Sequence, residues 1–293
     1  MSHTPREIIQ KTLRFDSPPR PGRDLWILPW ARQHHPHPVD RILNDYPPDI
    51  AVPEKPYRPS GRARGDPYRF GRYTDDWGCR FTNTNPGVEG IIEAPLLETL
   101  DEAAAFEPPY DLFAQETEAA REHVNRFCAK TDRFTIAPTS ARPWERYQFL
   151  RGTENALIDI AMGDAKMRSL LDKIHRFYAE ELHFWAATDV DALFFADDWG
   201  SQQQMLIGPD MWRELFKPLY EEYARIAHRC GKFIFYRSNG YILEILGDLI
   251  ELGVDAINCQ LACMPLEQVG AIGKGHITFW GEIDRRTILP SPD

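Results

Sequence analysis

The sequence is poor in cysteine and contains no long apolar run. Five cysteines stand among 293 residues (Cys79, Cys128, Cys230, Cys259 and Cys263), odd in number, scattered and without a Cys-x-x-Cys pair. That usage excludes a disulfide framework and fits a reducing compartment. No stretch approaches the ~18 consecutive apolar residues of a membrane span. The opening Met1-Ser2-His3-Thr4-Pro5-Arg6-Glu7 lacks the apolar centre of a secretion signal. A cytoplasmic protein is the expectation. Positive charge is also short, with 34 Lys and Arg against 44 Asp and Glu and a formal net charge of −10. This argues against a general nucleic-acid or anionic-membrane binder and leaves room for a local basic pocket. Core material is plentiful: 43% hydrophobic and 12% aromatic residues exclude a largely disordered chain.

The first third and the remainder read differently. Residues 1–15 predict a short helix, with Thr4 as N-cap, Pro5 at the first position and Glu7 at the third. Asp24–Trp30 is an apolar run that reads as a first buried strand. Residues 31–72 are rich in Pro, His and Arg, show little periodicity, and read as an irregular arm packed over the rest, with a functional loop or partial disorder as the alternatives. His34, His35 and His37 have no orienting scaffold there, and no metal is assigned to them. Trp77–Thr82 and Val88–Ile92 flank a turn-rich connector and predict a β-hairpin. Thr99–Phe106 reads as a short acidic helix, and residues 111–130 as a polar one.

From residue 133 a unit repeats: an apolar run, a polar-tipped loop, an amphipathic helix. The runs are Phe134–Ala137, Ala192–Ala196, Phe233–Tyr236, Ala256–Cys259 and Ile277–Trp280. Helices are predicted over Trp144–Met162, Ala165–Ala187, Pro209–Gly231, Ile242–Leu252 and after Pro265. Apolar strands alternating with helices predict a parallel sheet covered by helices. In the Pro209 helix, Trp212, Leu215, Phe216, Leu219, Tyr223, Ile226 and Cys230 share one face, and Pro218 should kink it. The expected architecture is α/β, a single (β/α)8 barrel domain over 1–293. Residues 1–110 form the helix, arm and hairpin, and 111–293 the main repeats.

In such a barrel, chemistry belongs at the carboxyl ends of the strands. Those ends deliver Thr139, Ser140 and Arg142; Asp197-Asp198-Trp199-Gly200-Ser201-Gln202; Arg237-Ser238-Asn239-Gly240; Gln260 and Cys263; and Glu282 and Asp284. Converging carboxylates beside an arginine suit proton transfer or an anionic substrate. Plainer readings stand beside each: Asp197 or Asp198 as a loop cap, Asp284 as a helix cap, Cys259 as a small buried residue. Asp75-Asp76-Trp77-Gly78 repeats the tetrapeptide at 197–200, which reads as coincidence of composition, although both copies could face one pocket.

The stretches 197–202, Gly208–Pro218, Glu145–Asn155 and Phe279–Asp284 together resemble the uroporphyrinogen decarboxylase superfamily. The resemblance implies a TIM barrel. It is closer to the corrinoid-linked methyltransferase-like branch, through Asp-Asp-Trp-Gly-Ser-Gln and Glu-Arg-x-Gln-Phe-Leu-Arg-Gly. True decarboxylases carry an early Arg-Gln-Ala-Gly-Arg segment, and Trp30-Ala31-Arg32-Gln33 echoes only its first half before His34-His35. The methyltransferase branch carries His-x-Cys zinc ligands where this chain has Arg237-Ser238-Asn239-Gly240, so zinc-thiolate chemistry is not expected at that place. Asp198 or Glu282 is the expected proton-transfer group, and the resemblance adds Tyr147, near the decarboxylases' substrate-contacting tyrosine, as a third catalytic candidate. Asp197, Trp199, Gln202, Arg237, Asn239 and Gln260 are expected to bind substrate, with Arg237 taking a carboxylate or phosphate. An Arg237–Asp198 ion pair that only fills space is the alternative.

The leading functional expectation is methyl transfer to or from a corrinoid carried by a partner protein, with no cofactor bound directly. Cofactor-free decarboxylation of a porphyrinogen, and a non-catalytic binding barrel, are the alternatives. A homodimer is left open. The sequence stops soon after Trp280-Gly281-Glu282, so the barrel is expected to lack its last βα unit, roughly 40–60 residues by ordinary lengths.

Overall fold

The computed structural model describes residues 3–113, 117–284 and 287–288. Helix α1 (Pro5–Leu13) starts as its sequence predicts: Thr4 and Glu7 close a reciprocal capping box, and Ile8, Ile9 and Leu13 are buried. The arm is more ordered than its composition suggests. Pro29 and Pro36 each sit in a first helical turn, where a missing N–H costs nothing, and open α2 (Pro29–His34) and α3 (Pro36–Asp45). A short strand β1 (Ile50–Ala51) follows.

The expected first strand, Asp24–Trp30, does not form. Leu25, Trp26 and Leu28 are 46%, 53% and 53% exposed. The segment is tied down by other means. Arg23 O accepts from Asp49 N, Arg20 forks onto the buried Asp49 through two bonds of 2.6 Å, and Asp24 accepts from the Trp280 indole. These side-chain anchors hold an extended segment against the barrel without a backbone ladder.

The hairpin is present and larger than expected. Strands β2 (Gly71–Thr74), β3 (Arg80–Asn83) and β4 (Ile91–Ile92) form an antiparallel sheet, with Tyr73 opposite Phe81 and Phe81 opposite Ile92. Helices α4 (Leu100–Ala105) and α5 (Thr117–Ala129) lead to β5 (Phe134–Thr135). The predicted Trp144–Met162 helix divides at Gly152 (φ +77°) into α6 (Pro143–Arg151) and α7 (Thr153–Met162). Then come α8 (Ala165–Ala186) and β6 (Ala192–Ala196). The Pro209 helix breaks at Phe216, giving α9 (Pro209–Leu215) and α10 (Lys217–Arg229), with Pro218 in the first turn of the second. Its predicted face is buried except for Leu219, partly covered, and Cys230, which lies past the last turn and is exposed. The chain continues through β7 (Phe233–Ser238), α11 (Leu243–Glu251), β8 (Ala256–Cys259), α12 (Leu266–Gly273) and β9 (Thr278–Phe279).

Strand β1 pairs in parallel with β5, Ile136 bridges to Ala192, and β6, β7, β8 and β9 pair in parallel in that order. Alternation sorts the side chains. Ile50, Phe134, Ile136, Ala192, Phe235 and Ala256 cluster inside with Ile9 and Leu13 of α1. Leu193, Phe195, Ile234, Tyr236 and Ile257 pack outward among the helices. The result is an α/β TIM-barrel-like fold plugged by α1 at the starts of its strands. Among the described residues the sheet does not close: β9 and β1 are not bonded to each other. No described helix is long and apolar enough to cross a membrane.

Candidate active site

At the carboxyl ends of the strands, alternation decides which polar residues reach the mouth. In β7, Phe235 faces inward and Tyr236 outward, so Arg237 faces inward and Ser238 outward. Arg237 has a half-buried guanidinium whose Cζ lies 5.9 Å from the Trp26 ring centroid, and whose Nη1 lies 3.9 Å from Asp198 Oδ1. Among the described residues the guanidinium makes no hydrogen bond. Asp198 accepts instead from Asn239 N (3.0 Å) and Asn239 Nδ2 (2.8 Å). The ion pair read as an alternative therefore exists only as a long contact, and the guanidinium keeps its donors.

Three expected site residues lie elsewhere. Asp197 is fully buried, accepting from Trp144 N (2.9 Å), Glu145 N (2.8 Å) and Tyr220 Oη (2.5 Å). Trp199 is fully buried, stacks on Trp144 at 5.6 Å, and donates its indole N–H to Tyr236 Oη at 2.9 Å. Neither faces the mouth, because both sit one residue out of phase with Asp198. Tyr147 is buried on α6, donating to Asp159, which also takes the Arg151 guanidinium. It fastens α6 to α7.

The residue that sequence reasoning passed over is Glu145, third in α6. Glu7 in α1 and Glu102 in α4 occupy the same helical position and fold back onto threonine N-caps. Helix α6 has Arg142 as N-cap with no side-chain bond. Asp197, from a neighbouring strand, satisfies the exposed N–H groups instead. Glu145 is thereby released from capping. Burial pushes its carboxyl above the ordinary range, the Asp198 charge adds to this, and Arg142 and Arg237 oppose it. Glutamate in the first turn of a helix that follows a strand exit and lacks a threonine cap was the available signal.

The two Asp-Asp-Trp-Gly copies meet at this same turn. Asp75 takes Arg146 Nη1 at 2.5 Å, and Trp77 lies under that guanidinium at 4.7 Å. Asp197 and Trp199 hold Trp144 and Glu145. What reads as coincidence in the sequence is, in the fold, a grip on one helical turn from two sides.

The remaining candidates form a second group. Gln202 Nε2 and Gly240 N both donate to Gln260 Oε1, at 2.9 and 3.1 Å. Gln202, Gln260, Cys263, Glu282 and Asp284 line a pocket of about 190 Å3. Thr139 donates to Phe194 O, and Ser140 binds the buried Glu181. His34 stacks on Trp30 at 4.5 Å.

A zinc-thiolate centre does not fit the β7 exit. Arg237 is a cation, Ser238 Oγ accepts from Trp199 N, and the Asn239 amide is bonded to Asp198. Cys259 faces outward, its thiol pushed up to about 12 by burial. Among the described residues no group of three or more His, Cys, Asp or Glu is placed to hold a metal ion.

A family model described as Uroporphyrinogen decarboxylase (URO-D) matches residues 75–293. Among solved structures the chain is similar to a methyltransferase from Methanosarcina mazei. The TM-score is 0.66 at 14% identity, covering 99% of this chain and 86% of that one. No curated protein matches the chain. At that identity the structural likeness speaks for the fold alone.

Proposed function

The chain belongs to the uroporphyrinogen decarboxylase family, and on that premise we propose an enzyme that binds a small carboxylate-bearing substrate at the barrel mouth and moves a methyl group. The observation that carries this reading is the Arg237 guanidinium, inward-facing and without a hydrogen-bond partner among the described residues, beside the raised carboxyl of Glu145. Arg237 holds the substrate carboxylate through two parallel N–H bonds. Trp26 backs the guanidinium, and Asp198 holds Asn239 at its side. Glu145, protonated at higher pH than an ordinary glutamate, gives a proton to the leaving heteroatom or takes one back.

A corrinoid carried by a partner protein would supply the cobalt that accepts or donates the methyl group. The exposed Leu25, Trp26 and Leu28, on the segment that forms one wall of the mouth, offer an apolar surface for such a partner. Decarboxylation of an acidic macrocycle is less well served. Arg142 and Arg237 stand against Glu145 and Asp198, a balance that does not attract a polyanion.

The test mixes the purified chain with cob(I)alamin and candidate methyl donors and follows the corrinoid spectrum. Donor-dependent methylation is expected, with Arg237→Ala raising the KM for carboxylate-bearing donors by about 10–100-fold. Turnover of uroporphyrinogen without corrinoid methylation, or unchanged carboxylate affinity in Arg237→Ala, overturns the reading.

A further inference from the structure

Among the described residues, β9 and β1 are not paired, and the barrel interior is reached from that side. Between the segment Pro21–Trp26 and the β9 exit Trp280–Ile283 lies a chamber of about 650 Å3, floored by Phe235 and Asn258. Phe194 packs within the interior cluster but is only partly buried, as expected beside open space.

The walls of this chamber have a distinct chemistry. Trp280 meets three other rings nearly at right angles: Trp26 at 4.8 Å, Phe235 at 4.9 Å and Phe194 at 6.2 Å. Asp24 Oδ2 accepts both indole N–H groups, Trp26 at 3.0 Å and Trp280 at 3.1 Å. Carboxylate and indoles are therefore one unit. Burial pushes the Asp24 carboxyl above its ordinary range, and among the described residues no Lys, Arg or His forms a salt bridge with it. Arg23, the one cationic residue lining the chamber among the described residues, lays its guanidinium over Tyr46, 5.3 Å from the ring centroid. Glu282 adds a second carboxylate to the lining.

Three kinds of occupant can be compared. A neutral hydrocarbon would complete the desolvation of Asp24 with nothing to offset it. A small hydrated cation would have to exchange its water for aromatic rings. A cation that carries alkyl groups satisfies both walls, its charge meeting Asp24 and the rings' negative faces while its methyl groups cover their carbons. We propose that the chamber binds an alkylated ammonium group. Trp26 also backs Arg237, so the chamber and the carboxylate position share a wall. Resting on the reading above, the substrate class is then an N-alkylated amino acid or betaine, with its carboxylate on Arg237 and its ammonium group beside Asp24.

Calorimetric titration of the full chain separates the two ideas. Choline is compared with 3,3-dimethylbutan-1-ol, its uncharged carbon analogue, and with glycine betaine, which adds a carboxylate. Choline is expected to bind at least about tenfold tighter than the alcohol, a preference lost in Asp24→Asn and weakened in Trp280→Leu. Equal affinity for choline and the alcohol, or binding of neither, overturns the chamber proposal whatever the variants do. If choline shows the preference but glycine betaine binds no tighter, the chamber stands and the Arg237 reading falls. If glycine betaine binds through Arg237 while choline shows no preference, the reverse holds. The choline comparison needs only the unaltered protein, so a variant that fails to fold leaves the decision intact.

Discussion

Glu145 and Asp197 are carboxylates bound to the same helical turn, with opposite tasks. Asp197 accepts three hydrogen bonds in the core, so Asp197→Ala leaves three donors unpaired and should cost about 3–5 kcal/mol in urea unfolding. Glu145 spends no bond on capping, and Glu145→Gln should lower methyl-transfer turnover by about 10²–10⁴ while leaving carboxylate binding in place. Its stability signature has a definite sign. The folded state raises this carboxyl above its ordinary 4.5, so its contribution is whole below about that pH and is lost as pH climbs through the raised value. Glu145→Gln has no charge to desolvate. It should therefore gain stability relative to the parent as pH rises from 4.5 through the raised value, and a pH-independent difference between the two unfolding curves would contradict the assignment. Asp198 was legible as a mouth residue, but its neighbours Asp197 and Trp199 were not separable from it. In a run of polar residues at a strand exit, one step of register turns a side chain from mouth to core.

At the scale of elements, the loops after β6 and β7 fit together only through glycine. Gly240 adopts φ +79°, and a Cβ there would lie 2.0 Å from Gly200 O, while a Cβ on Gly200 would lie 2.2 Å from Tyr241 N. Backbone bonds from Gly200 N to Asn239 O and from Tyr241 N to Ser201 O lock the same crossing. Gly240→Ala should cost at least about 2–3 kcal/mol and shift Asn239 away from Asp198, read as a lowered Tm together with weakened carboxylate binding. A folded variant of unchanged Tm and affinity would mean that the crossing is soft. Much at this scale was legible beforehand. Strands β6 and β8 begin and end where continuous apolar runs do, the capping box opened α1, and Pro218 marked the break between α9 and α10. Asp24–Trp30 was misread because an apolar run is the same signal whether it enters a ladder or leans its rings against other rings. The helices of the arm were missed for a related reason: proline reads as a breaker, yet at a first turn it starts a helix.

Across the whole molecule, stability and chemistry sit at opposite ends of the barrel. Ile9 and Leu13 of α1 plug the starts of the strands, whereas Arg237, Asp198 and Glu145 gather at their carboxyl ends. Ile8→Ala, a buried α1 residue outside the chamber lining, should therefore cost about 2–4 kcal/mol in unfolding free energy while leaving ligand affinity of the folded protein unchanged. A parallel loss of affinity would show that the two ends communicate. The chamber belongs to this scale as well, since the fold gathers Asp24, Trp26 and Trp280 around it beside the mouth.

The alternation of apolar runs and amphipathic helices and the family-specific stretches were sufficient in the sequence alone to point to a barrel of the uroporphyrinogen decarboxylase kind. These signals are local or periodic, and each element carries its own. Only the tertiary structure decided which carboxylates face the mouth. It brought two distant Asp-Asp-Trp-Gly segments onto one helical turn, freed Glu145 by letting Asp197 cap its helix, and set Trp26 against Arg237 across 211 positions of chain. Contacts of that separation depend on strand register and on how the sheet wraps, and neither is written in the residues nearby.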